Sequence, residues 1–126
     1  MLIAALVLAG LAALVHVYIF VLESLRWEEP STRAVFGTTA ETAAITRPLA
    51  YNQGFYNLFL AVGTAVGIVL AGANRDASVA LVAMGTGSML AAALVLVTSD
   101  RSKARAAAVQ GLLPLLALLA LAVDAL

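Results

Sequence analysis

The chain has 126 residues, of which 63% are hydrophobic and 11% charged, against about 25% charged in an ordinary soluble domain, and its mean hydropathy of +1.05 excludes a soluble globule. Seven Lys and Arg balance seven Asp and Glu, so no basic surface points to a nucleic acid as partner. The absence of cysteine excludes disulfides, iron–sulfur clusters and thiol catalysis, and a single histidine makes no multi-histidine metal site within one chain; neither a metal nor a cofactor is expected.

Residues 2–22 carry no charge. At about 1.5 Å of rise per residue they can cross a hydrocarbon core of about 30 Å, and they open a first span over about 2–27. A cleaved signal peptide would want basic residues ahead of a shorter apolar core, and no Lys or Arg precedes Arg26, so a retained helix is expected. Residues 28–48 form the longest connection and carry Glu28, Glu29, Pro30, Arg33, Glu41 and Arg47. Within it Thr38 and Glu41 have capping-box spacing, predicting a short amphipathic helix from Thr38 that leads to Pro48, where a kink or a new helix start is expected. The second span covers about 49–72, the third about 78–98 and the fourth about 106–124, the last interrupted by Gly111 and Pro114. Polar turns at 72–78 and 99–105 join them. Short loops favour antiparallel neighbours, so the expected fold is all-α: an integral membrane four-helix up-down bundle forming a single transmembrane domain over 1–126.

Arg26, Arg33, Arg47, Arg101, Lys103 and Arg105 fall on one side of these spans and only Arg75 on the other, besides the terminal amine. That bias predicts both termini outside the cytoplasm, in a multi-pass protein of the inner (plasma) membrane. It also gives depth to the polar side chains. His16, Glu23 and Trp27 share a stripe of roughly 40° at about 100° per residue, and Glu23 lies near the cytoplasmic interface. The second span enters from the same side with Asn52, Gln53, Tyr56 and Asn57, and Gln110 of the fourth lies just inside that boundary. Three spans thus offer polar groups to one layer, where an unpartnered amide costs several kcal/mol by roughly the water-to-hydrocarbon scale. Blander roles compete: a structural His16, Glu23 paired with Arg26 three residues on, interhelical amide bonds, and Trp27 with Tyr51 as interfacial aromatics. Gly63 and Gly67 have GxxxG spacing, which permits close helix approach. Asp124 is expected to be a solvated terminal charge.

His16-x-Tyr18-Ile19, Glu23, Trp27, Pro30, Phe36-Gly37, Asn52-Gln53-Gly54-x-Tyr56-Asn57-x-Phe59-Leu60-Ala61 and Gln110-Gly111-x-x-Pro114 together resemble the domain of unknown function 1304 family (DUF1304), small four-span membrane proteins, chiefly bacterial. The resemblance covers nearly the whole chain and implies fold and membrane location, with no established activity. The family often has a glutamate just before the histidine, where this chain has Val15, so an acid role here rests on Glu23.

Three functions are weighed. In the first, a cytoplasm-facing intramembrane pocket binds a small amphipathic or lipid-like molecule, with His16 and Glu23 for acid/base, isomerase-like chemistry and Trp27, Asn52, Gln53, Tyr56, Asn57 and Gln110 as ligand-binding residues. The alternatives are a small proton-coupled transporter, similar in span number to the small multidrug resistance exporters, and an accessory subunit of a membrane complex. Glu23 at a helix end and the fixed charge bias count against the exporter. The lipid bilayer is the expected partner, and the Ala/Gly-rich faces allow a homo-oligomer.

Overall fold

The computed structural model describes residues 1–126. Four helical stretches are long and apolar enough to cross a membrane, Leu2–Leu25, Ala40–Gly72, Arg75–Ser99 and Arg101–Asp124, so the chain is a multi-pass membrane protein. Helix α1 (Leu2–Phe20) runs on into a wide π-helical turn at Val21–Leu25; α2 is Pro30–Phe36, α3 Ala40–Val69, α4 Arg75–Ser99 and α5 Ala104–Asp124. The four long helices form a ring. α1 packs on α3 and α5, α4 packs on the same two, and α1 and α4 barely meet across the diagonal.

The seams are built from small residues. Lipid tails are as apolar as leucine, so helices in a bilayer gain by close approach more than by hiding large side chains. α1 buries Ala5, Ala9, Ala12 and His16 at helical spacing, and Ala5 and Ala9 join Val82, Ala117, Ala120 and Leu121 in the apolar centre. A Cβ on Gly67 would stand 2.9 Å from the Leu81 Cβ and 3.0 Å from the Val82 N, and one on Gly111 2.8 Å from the Ala93 Cβ. α4 therefore lies against α3 and α5 at glycines. Only Gly67 of the GxxxG pair is used this way, because a Cβ on Gly63 would meet nothing within 4 Å. Thr64 and Thr86 are fully buried and hydrogen-bond back to the carbonyls of Leu60 (2.8 Å) and Val82 (2.6 Å), which lets hydroxyls sit in an apolar layer.

The first connection differs from its expectation. Pro30 opens a separate helix, α2, which Gly37 ends at φ +64°, and Lys103 Nζ donates to the Phe36 carbonyl there. The residue capping the next helix is Thr39, whose side chain accepts from the Thr42 N–H at 3.1 Å, and not Thr38, whose hydroxyl is buried without a partner. From that cap α3 runs 30 residues without a break, Pro48 included. Pro48 removes only the N–H that would have bonded the Ala44 carbonyl, a loss that a long helix packed elsewhere along its length absorbs. Asn74 caps α4 through the Ala77 N–H, so α4 begins at Arg75, ahead of the expected start near 78.

Asp124 is also not the solvated charge expected. Its Oδ1 accepts from the Leu2 N–H at 2.8 Å and lies 3.3 Å from the terminal amine, while Arg75 Nη2 donates to its Oδ2 at 2.6 Å. One carboxylate thus covers an orphan donor at the start of α1 and ties α1, α4 and α5 at the end of the bundle opposite the basic loops.

Glycine contact predicts a contrast. Gly67→Ala lowers stability by about 1–3 kcal/mol through overpacking against α4, whereas Gly63→Ala, with open space and better helix propensity, leaves it unchanged or raises it by up to about 1 kcal/mol. Thermal unfolding of both variants in one detergent, followed by helical circular dichroism, checks the order.

Candidate functional site

The site begins where α1 stops being an α-helix. Turns closed by i→i+5 bonds advance less than the usual 100° or so per residue, so positions beyond Phe20 fall out of the phase that α-helical counting assigns. Arg26 then leaves the helix at φ −130°. The stripe expected to hold His16, Glu23 and Trp27 together is therefore broken between its first and second members. His16 is 1% exposed and on the α-helical part, with its Nδ1 2.9 Å from the Ala12 carbonyl of its own helix. A carbonyl partner requires the proton on Nδ1 and leaves Nε2 as an acceptor in the neutral ring.

The wide turn lies against α3 at Gly54. A Cβ there would collide with the Ser24 hydroxyl and stand 3.0 Å from the Ser24 N and 3.1 Å from the Glu23 Cβ. With no side chain in the way, Ser24 Oγ donates to the Tyr51 carbonyl at 2.7 Å and Asn57 Nδ2 donates to Glu23 Oε2 at 2.9 Å. Asn57 Nδ2 also reaches the Gln53 carbonyl at 3.2 Å. Glu23 is half-buried and held by α3, not by Arg26.

Arg26 turns outward to Glu29, Nη2 to Oε2 at 2.6 Å, and Arg47 of α3 reaches Glu28 at 3.4 Å. These pairs, with Glu23, Ser24, Trp27 and Pro30, line an open cleft of about 390 Å³. Trp27 forms its wall: Nε1–H donates to the Ala43 carbonyl (3.1 Å) and to Thr46 Oγ1 (3.2 Å), and the indole packs on Phe36 with ring centres 5.0 Å apart. The Arg26 hydrogen bond holds the exposed Glu29 carboxyl below its ordinary 4.5. The same bond raises Arg26.

Among the residues singled out in the sequence, Glu23, Trp27 and Asn57 meet at this cleft or its back wall. Asn52, Gln53 and Tyr56 are exposed, Tyr56 by 57%, and Gln110 is half-buried on α5. None of these four lines the cleft, and neither does His16. The α3 residues divide by phase. Asn57 and Thr64 turn inward, while Asn52 and Tyr56 follow Gly63 on a face pointing away from α1. Ser24, Glu28, Glu29 and the Arg26 and Arg47 guanidiniums were not singled out as site residues. The signal for them was the clustering of both charge signs at 23–29, where the apolar run ends.

A family model described as protein of unknown function (DUF1304) matches residues 10–122. The chain belongs to that family. Neither a curated protein nor a solved structure matches it. The matched stretch includes Glu23, Asn57 and the residues that line the cleft, and the family description assigns no activity to any of them.

Two measurements check this geometry. The Trp27→Phe variant loses the indole donor to α3 and is destabilised by about 1 kcal/mol; an unchanged unfolding midpoint would mean that this bond does not secure the loop. Glu29 titrates below 4.5 by carbon-detected NMR and moves up toward it in Arg26→Gln. Because its folded value is depressed, the rim pair is intact above 4.5 and opens only as pH falls through the lower, folded value.

Proposed function

We propose that the chain binds the polar head of a small amphipathic or lipid-like molecule in the cleft at the basic, cytoplasmic end of the bundle. The carrying observation is Glu23: a carboxylate held by Asn57 at 2.9 Å, in the wall of a cleft of about 390 Å³ whose rim bears Arg26–Glu29 and Arg47–Glu28 pairs. An amide-anchored carboxylate is oriented without being neutralised by a cation, so it keeps an oxygen for a ligand donor or proton. Acid/base chemistry, where the molecule undergoes any, falls to Glu23 as the proton-exchanging group, with Asn57 orienting it and Trp27 forming an apolar wall. His16, bonded to its own helix and outside the cleft, serves the packing of α1 in this reading. Gln53, Asn52 and Tyr56 lie outside the cleft, Asn52 and Tyr56 on the face of α3 turned away from α1, and Gln110 stays with α5.

Binding ranks ahead of transport because Glu23 stands at the end of its span. Proton-coupled exchange wants an ionisable group that both sides can reach, near the midplane. Glu23 opens to one side.

Mass spectrometry of amphiphiles retained by protein purified in mild detergent tests the reading. Occupancy in Glu23→Ala and in Arg47→Ala drops by about tenfold, a loss of the order of one charge-assisted hydrogen bond, and Asn52→Ala retains wild-type occupancy. Equal retention in wild type and both cleft variants would remove the cleft from the function.

A further inference from the structure

A second depression lies on the same pair of helices. Ala13, Leu14 and Val17 of α1 and Val62, Ala65 and Ile68 of α3 line an apolar groove of about 240 Å³ on the outer side of the α1–α3 seam. The first span has 24 residues, about 36 Å of helix, so Ala13 and Leu14 lie at the bilayer midplane and Glu23 at the hydrocarbon boundary. The groove and the cleft therefore occupy the two depths at which one phospholipid molecule has its chain ends and its head. They also share a face. At about 100° per residue, Arg47 of the cleft and Val62 and Ala65 of the groove fall within a stripe roughly 60° wide, with Leu58 between them. Arg47 precedes Val62 by 15 positions, about 22 Å of helix, so Arg47 stands beyond the hydrocarbon boundary while the groove lies inside it.

Charge narrows the head. The cleft lining holds three carboxylates, Glu23, Glu28 and Glu29, and two guanidiniums, Arg26 and Arg47. A phosphate alone would face the carboxylates and an ammonium alone the guanidiniums. A head carrying both has a partner for each, the phosphate at Arg26 and Arg47 and the ammonium at Glu23. Between cleft and groove the Phe20 and Phe55 rings meet edge to face across the α1–α3 seam, their centres 5.1 Å apart. We propose that cleft and groove are the two ends of one binding site for a bilayer phospholipid of the phosphoethanolamine type, its head between Glu23 and Arg47 and one acyl chain lying over the Phe20–Phe55 pair and ending in the groove. This rests on the cleft reading given above and adds to it the chain and the head chemistry.

Trp27 is the one tryptophan of the chain and lines the cleft, so its emission reports occupancy directly. Delipidated protein in detergent is titrated with three probes: soluble glycerophosphoethanolamine, dioleoyl phosphatidylethanolamine and dioleoyl phosphatidylglycerol. The expected result is that the whole phosphatidylethanolamine binds at least about tenfold more tightly than the fragment and than the anionic lipid. Ala65→Phe, which fills the groove, weakens the whole lipid about tenfold and leaves the fragment unchanged. Val66→Phe, on a neighbouring lipid-facing position outside the groove, changes neither and controls for folding. Undiminished lipid binding in Ala65→Phe overturns the chain site, and the cleft reading survives if the fragment still shifts Trp27 emission. Equal binding of phosphatidylglycerol overturns the head assignment. Silence of Trp27 toward all three probes brings down both the site and the cleft reading.

Discussion

There is no room for a side chain at Gly54. That single close approach, with the Glu23 Cβ 3.1 Å from where a Cβ would stand, lets the last turn of the first span lie directly on the helix that follows it. A small residue is needed at such a crossing because side-chain burial between helices gains little when the alternative is lipid. The wide turn at Val21–Leu25 then places Ser24 on the Tyr51 carbonyl and Glu23 on Asn57. The chain leaves the helix at Arg26 and passes over α3, where Trp27 is tied down. Cleft, rim pairs and α2 all lie downstream of that approach.

How much of this was legible follows from where helical counting holds. The four spans are written in runs of apolar residues, and their order in the bundle follows from short polar turns, because both signals depend only on composition and length. Facing is a matter of phase. A stripe computed at a constant angle fails wherever the turn widens, so His16 and Glu23, one heptad apart, were grouped although the π-helical turn separates them. Nothing in Val-Leu-Glu-Ser-Leu announces such a turn. Its counterpart on α3, a glycine set among polar and aromatic residues, was visible, and its consequence was not. The same limit explains Asn52 and Tyr56: α3 carries polar residues on two faces, and the one bearing Asn57 and Thr64 turns inward while Asn52 and Tyr56 are exposed.

Prolines and caps show a second kind of limit. Pro48 reads locally as a helix break, yet α3 passes through it. Its flanks are anchored from outside, by Trp27 on the Ala43 carbonyl and Thr46 before it and by Ser24 on the Tyr51 carbonyl after it. Local propensity is a weak prior once tertiary bonds brace both sides. Thr38 and Thr39 are equivalent as cap formers by type, and the choice between them is made by Gly37, whose left-handed backbone ends α2 and sets where the next helix can begin.

The two ends of the bundle handle charge in opposite ways, and the difference bears on which end can hold a ligand. At the Asp124 end one carboxylate gathers the Leu2 N–H, the terminal amine and Arg75, so its oxygens are spoken for and the end is closed. At the basic end Glu23 is held by a neutral amide, while Arg26 and Arg47 are engaged by Glu29 and Glu28 on exposed, solvent-screened rims. Rim pairs of that kind are exchangeable at little cost, because water and a zwitterionic ligand can replace each partner in turn. In the proposed function, a carboxylate fixed by an amide behind it and faced by exchangeable pairs is what meets the charge of the bound molecule. A carboxylate saturated by three donors is arranged to hold helices together.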